Sequence, residues 1–335
     1  MSILFVGSED ISFAYRNNPT FGTTGGSYRS SYARGAVGLQ EQTNLAYAGD
    51  YLSTPVTSCW FSGQYYFNIN ITADRIWMGL TDGGAPNDLA RVRLGLRVSA
   101  TNKFVLVKYD GATATVLGTG TLSVSSGQLY RIDVEVVNYN SASGRCRVYV
   151  NRSATADIDS GLVDLRAGGS TNLSGIFLRG QSSTGSAPLY LSEVVVADED
   201  TRMLDVVTLY PNAAGDLNEF TGAYTDVDES ANNDGDVISS SVADQTFLSN
   251  LLNLPSTSVR VLGVAVHVRA WRDASTPQKV ALGIKTNSAV ALGPDQSLLL
   301  TGAEYKYQTN LNPITGVEFT ATEVNALQAA VKSRT

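Results

Sequence analysis

Apolar and polar residues alternate with a period of two through most of this chain, the pattern of strands that bury one face. The clearest run is Leu129-Tyr130-Arg131-Ile132-Asp133-Val134-Glu135-Val136-Val137. Tyr130, Ile132, Val134 and Val136 share one face, which is expected to pack into a core. Arg131, Asp133 and Glu135 share the other, which reads as a solvated outer face. Arg145-Cys146-Arg147-Val148-Tyr149-Val150 repeats the alternation, and residues 138–144 join the two as a polar hairpin loop. Similar runs cover residues 60–71, 91–98, 103–109, 175–179 and 188–197. Turn clusters separate them, among them Thr81-Asp82-Gly83-Gly84-Ala85-Pro86-Asn87-Asp88, Asp110-Gly111 and Ser125-Ser126-Gly127. Strands at this spacing, with no helical stretch among them, predict a jelly-roll-like sandwich over residues 1–200.

The acidic step Asp198-Glu199-Asp200 closes that unit, and a second is expected over residues 201–335. Its predicted strands are 203–210, 259–271, 279–285 and 296–300. The chain ends on a different pattern. Thr320 and Glu323 form a capping-box pair, and Val324, Leu327 and Val331 recur at helical spacing, which predicts a short C-terminal helix packed as a lid. The fold class is therefore all-β: two β-sandwich domains, the first jelly-roll-like, the second with that helix.

A length of 335 residues suits two cores better than one. With 43% hydrophobic and 16% charged residues, the composition is that of a folded chain. No apolar run approaches bilayer length, so no membrane insertion is expected. The opening Met1-Ser2-Ile3-Leu4-Phe5-Val6-Gly7 lacks a basic region and reads as a first strand rather than a secretory signal. Net charge is −7, unevenly spread. No Lys or Arg falls between Arg202 and Arg260, whereas Asp205, Asp216, Glu219, Asp226, Asp228, Glu229, Asp234, Asp236 and Asp244 all do. Such a surface repels a phosphate backbone, so nucleic acid is not an expected partner.

Candidate chemistry is sparse. The single histidine, His267, sits in an alternating strand with no motif to supply a nucleophile. Residues 118–120 read as a glycine turn without the Gly-Lys-Ser/Thr of a phosphate loop. Asp133 and Glu135 have the spacing a carboxylate pair would need, on what reads as an outer face. The chain is accordingly expected not to be an enzyme, with no catalytic residues and no cofactor. Two weaker sites are drawn. Residues 226–236 carry enough carboxylates for Ca²⁺ but lack the spacing of a calcium loop. The turn holding Asp82, Asn87 and Asp88, close to Trp77, has the aromatic platform and polar acceptors with which lectins hold sugars. Cys59 and Cys146 read as small buried hydrophobes, with a bridge between them left open.

Residues 129–135, the Gly144-to-Asn151 stretch ending Val148-Tyr149-Val150-Asn151, and Leu191-Ser192-Glu193-Val194-Val195-Val196 resemble the concanavalin-like, laminin-G-like sandwiches of phage proteins. The opening Ile3-Leu4-Phe5-Val6-Gly7-Ser8-Glu9-Asp10 is similar to the start of phage virion proteins. Leu209-Tyr210-Pro211-Asn212-Ala213-Ala214-Gly215-Asp216, Asn312-Pro313-Ile314-Thr315-Gly316 and Thr322-Glu323-Val324-Asn325-Ala326 resemble a β module of phage tail proteins, with Phe319 where that module commonly has Trp. The resemblance implies a virion structural protein, made in the host cytoplasm and placed in the tail, baseplate or fibre apparatus. Capsid decoration is the alternative, and a free carbohydrate-binding lectin a weaker one. It further implies other virion proteins as partners, a homo-oligomer (three copies, by analogy) and contact with a host surface glycan.

Overall fold

The computed structural model describes residues 1–7, 15–16, 37–39, 47–67, 76–86, 88–179, 189–229, 234–273 and 277–335. The chain divides into two compact units, Met1–Val206 and Val207–Thr335.

The strands of the first unit are β1 (Ile3–Gly7), β2 (Tyr15–Arg16), β3 (Val37–Leu39), β4 (Tyr47–Val56), β5 (Cys59–Phe67), β6 (Ile76–Thr81) and β7 (Val92–Val98). They continue with β8 (Lys103–Asp110), β9 (Thr113–Ser123), β10 (Gln128–Val137), β11 (Arg145–Val150), β12 (Ile158–Asp159), β13 (Leu173–Arg179) and β14 (Leu189–Ala197). One sheet has the order β1-β14-β5-β10-β11-β12, with β3 also on β14; the other runs β2-β4-β13-β6-β7-β8-β9. The alternation dictates the packing. Tyr130, Ile132, Val134 and Val136 of β10 face Leu94, Leu96, Phe104 and Leu106 of β7 and β8 across one core. The expected run 60–71 begins as β5; residues 68–71 lie outside the described residues.

One reading changes here, and one left open is decided. Residues 118–120 are not a turn but part of β9, an edge strand. Glycine is needed there because a Cβ on Gly118 would stand 2.5 Å from the Ile158 side chain, and one on Gly120 would stand 2.0 Å from Asp157. Cys59 and Cys146 both pair with Val136, on opposite sides of β10. Two strand spacings separate their Cα atoms by about 10 Å, beyond the roughly 7 Å a disulfide tolerates. Both are free and buried.

The second unit adds β15 (Pro211–Asn218), β16 (Thr246–Leu251), β17 (Val264–Ala270), β18 (Lys279–Thr286), β19 (Ala289–Leu292), β20 (Gln296–Ser297), β21 (Ala303–Thr309) and β22 (Gln328–Arg334). One sheet runs β15-β16-β22-β18-β19, with β20 also on β18, and β17 and β21 form a separate two-stranded ribbon. Ribbon residues Val266 and Tyr305 pack on sheet residues Ile284, Val280 and Leu282. The expected strand at 203–210 is absent: the Tyr210 carbonyl accepts from Leu252 N–H at 2.9 Å, and the strand itself begins at Pro211. There, on a sheet edge, proline's missing N–H costs no ladder bond. The run 259–271 is a strand only from Val264, and 296–300 only over Gln296–Ser297.

The C-terminal helix, α1 (Ala321–Asn325), is a single turn. Its capping box forms as predicted: Glu323 N–H donates to Thr320 Oγ1 at 3.1 Å, and Thr320 N–H donates to Glu323 Oε2 at 2.8 Å. Leu327 and Val331 do not continue it. Val331 belongs to β22, which hydrogen-bonds to β16 on one side and β18 on the other. Phe319 is buried in the same core as Val324 and Leu327.

Candidate functional site

The densest chemistry of the first unit lies on the outer face of the sheet containing β5, β10 and β14. The residues expected to be solvated there are not. After β14, residues 198–205 cross this face as a strap. Thr201 is fully buried, its Oγ1 donates to Asp133 Oδ1 at 3.0 Å, and its carbonyl accepts from Arg131 at 3.1 Å. Arg131 also donates to Ser62 Oγ at 3.0 Å and to Glu193 Oε2 at 3.4 Å. Asp133 is 0% exposed, and burial pushes its carboxyl above the usual range despite the Arg131 charge nearby. The Arg131–Asp133 separation of 3.6 Å is too long for a hydrogen bond, consistent with that direction.

Strict alternation after core-facing Leu191 would send Glu193 into the core. A bulge between Ser192 and Val195 prevents this: it holds Glu193 at φ +51°, so that Leu191 and Val194 keep the core face and Glu193 reaches Arg131. The far end of the strap is held by Arg202. Its guanidinium lies 5.4 Å from the Trp60 ring and 4.5 Å from Tyr149, which stack on each other at 5.4 Å. Arg202 also forks onto Asp200 and donates to the Ser153 carbonyl at 2.9 Å. Arg152 pairs with Asp205. Glu135 accepts from Arg147 at 2.6 Å and from the Tyr149 hydroxyl at 3.3 Å. Asp133 and Glu135 thus face no common cleft: one is sealed by the strap and the other is tied to its neighbours.

The expected sugar-contact turn is arranged differently from the lectin pattern. Trp77 is 4% exposed and packs edge-on against Tyr65 and Phe67 at 4.6 and 5.5 Å, so its ring is a core element and no platform. Two core-facing residues in succession, Trp77 and Met78, result from a break in register between β6 and β7. Asp82 is buried and accepts from Arg93 Nε at 2.7 Å. Asp88 caps the short 3₁₀ turn Leu89–Arg91 through Ala90 N–H at 2.9 Å. Asn87 lies outside the described residues. The turn does not bring Trp77 and these acceptors to one surface.

The carboxylates of residues 226–236 are dispersed in local bonds. Asp226 accepts from Ala223 N–H at 2.8 Å. Asp234 forks onto Arg269 at 2.8 and 2.9 Å, which lowers its pKa. Glu229 is raised, by burial first and then by Asp236 beside it. Residues 230–233 lie outside the described residues, among which no group of three or more His, Cys, Asp or Glu could hold a metal ion. His267 is half-buried in the ribbon opposite Lys306. Among the described residues no helix is long and apolar enough to cross a membrane.

Sequence reasoning missed the Trp60–Tyr149 ledge, Glu193, Thr201 and Arg202. One signal was available: Trp60 and Tyr149 alternate out of phase with the core residues beside them and pair in register with Glu135 and Asp133.

No family model and no curated protein matches the chain. Solved structures are similar to it in fold. The globular domain of T. cruzi calreticulin aligns over 60% of this chain and 89% of its own, at 10% identity and a TM-score of 0.42. Alginate lyase Aly36B aligns over 54% and 93%, at 13% identity and 0.36. Trypanosoma rangeli sialidase aligns over 56% of this chain and 26% of its own, at 14% identity and 0.33. These are likenesses of fold alone; the two sheets packed over one core make the first unit an all-β sandwich. The expectation that the chain is not an enzyme is overturned, because a lyase and a sialidase are among the proteins similar to it. The sandwich gives no ground for excluding catalysis, and identities this low carry no activity across.

Proposed function

We propose that the chain is a structural component of a bacteriophage particle, made in the host cytoplasm and built into the tail or its adsorption apparatus. The observation that best supports this reading is the apolar surface of the second unit. Leu299, Leu300, Val317, Val259, Leu311 and Ile314 are each at least 45% exposed. Exposed apolar side chains of this size are what an assembly subunit can bury against its neighbours. The same unit carries the motifs similar to phage tail modules, and its neighbours would be other particle proteins and further copies of the chain. Weak contact with a host surface glycan, repeated over a symmetric assembly, would gain strength by avidity.

Immunogold labelling of intact particles with an antibody to this chain tests the proposal. Label at the tail tip or baseplate is the expected result. Label spread over the head would replace it with capsid decoration, in which the chain stabilises the shell by binding its assembled state. Particles without label would overturn the virion reading and leave a free lectin as the working alternative.

A further inference from the structure

A sheet edge presents unpaired N–H and C=O groups, and proteins protect such edges with charges, proline, bulges, short strands or a covering segment. Most edges here have one of these devices. β1 has five residues, β2 and β12 two each, and β19 four. β15 begins at Pro211, carries Asp216 and has its register broken twice. The ribbon strands carry Arg269, Glu304 and Lys306.

β9 differs. It is 11 residues long and closes one edge of its sheet. No charged residue occurs between Asp110 and Arg131. Its second half is covered: Ile158 lies against Gly118, and Asp157 Oδ1 accepts from Thr121 N–H, Thr121 Oγ1 and Leu122 N–H at 2.9, 2.9 and 3.0 Å. That cover stops short of the first half. Residues 113–116 are exposed, Val116 at 51%, and among the described residues nothing pairs with the outer side of residues 113–117.

We infer that residues 113–117 are a self-association edge, on which β9 of a second copy pairs antiparallel about a twofold axis. An antiparallel edge is complementary to itself, since each copy offers the donors and acceptors the other lacks. Identical strands bring like residues together, which charged edges forbid and a neutral, threonine-rich one favours. An axis at Thr115 sets Thr113 of each copy against Leu117 of the other. A second copy is favoured over a foreign strand because the segment carries no charge by which to select one. The contact stands whether or not the chain belongs to a particle. Being twofold, it gives two copies or an even multiple rather than the three expected by analogy.

Sedimentation velocity on the full chain at micromolar concentration tests this. The expected result is an even-numbered oligomer, with self-association weakened at least tenfold by Thr115→Lys combined with Val116→Lys. A second measurement does not depend on how that variant folds. Thr115→Cys is expected to give a covalent dimer with a short bifunctional thiol reagent, and Leu162→Cys, exposed elsewhere on the unit, is not. Cys59 and Cys146 are buried and contribute no background. A monomeric wild type, an oligomer that survives the double substitution in a folded variant, or equal cross-linking at positions 115 and 162 would each overturn the inference.

Discussion

Arg131 is the residue on which the outer face of the first unit turns. It is flanked by two buried carboxylates, Asp133 and Glu193, and removing it takes a cation from beside both, a loss of the kind that costs about 3–5 kcal/mol when a buried pair is broken. Arg131→Met is therefore expected to lower unfolding free energy by that order in chemical denaturation, and a loss below about 1 kcal/mol would contradict the network. Asp133 is expected to act in the opposite sense. Its carboxyl binds a proton more readily folded than unfolded, so its charge costs stability as pH rises from the ordinary carboxylate value through its raised folded value. Below the ordinary value the proton is bound in both states and the cost vanishes. Asp133→Asn should remove that pH-dependent loss, read as a flatter stability profile on the acid side of neutrality. An unchanged profile would place the titration elsewhere. The two cysteines give a further check at this scale. Burial pushes the Cys59 thiol up to about 12, so neither thiolate character nor access favours reaction. A thiol reagent should modify Cys59 and Cys146 only as fast as the first unit unfolds, and no oxidant should join them.

At the scale of elements, the capping box decides how the chain enters β22. Thr320→Ala removes the acceptor of Glu323 N–H and is expected to cost about 1 kcal/mol, measurable by denaturation. A neutral substitution would mean that packing of Phe319 and Val324 alone sets the turn. This corner also shows what periodicity carries. Val324, Leu327 and Val331 satisfy a helical spacing and residues 328–334 show no clean alternation; the two neighbouring strands settle the choice because both ladders need β22 between them. Local pattern was enough for β10 and β11, where one face is apolar and the other charged. It was not enough for the outer face of β10, because the strap that buries Asp133 comes some 70 residues later, and no spacing announces that return. Trp77 failed for the same reason in reverse: a turn rich in Asp and Asn looks like a sugar site until the register break beside it sends the ring inward. The Glu193 bulge was equally silent, since nothing local marks a glutamate that must leave the core face at positive φ.

At the scale of the molecule, the two units close their cores by different means, and this predicts how the chain unfolds. The first unit sets two seven-stranded sheets face to face over one large aromatic and aliphatic core, with a smaller cluster at Ile76, Val92 and Phe177. The second covers a six-stranded sheet with a two-stranded ribbon, and among the described residues its clusters around Val266 and Val280 are small and many apolar side chains are exposed. Burial of apolar area is the main favourable term in both. The second unit therefore has less to set against its chain entropy when no neighbour covers it. Calorimetry at low protein concentration should resolve two transitions, the lower belonging to residues 207–335. Phe319→Ala is expected to move only the lower one and Phe104→Ala only the upper, each by the 3–5 kcal/mol order of a truncated core aromatic. Both substitutions shifting one shared transition would show that neither core stands alone. If the exposed surface of the second unit is buried in an assembly, the lower transition should also rise with protein concentration or on incorporation, because binding to the folded form adds to its stability. A lower transition that stays fixed over a hundredfold range of concentration and in intact particles would count against that surface as a contact.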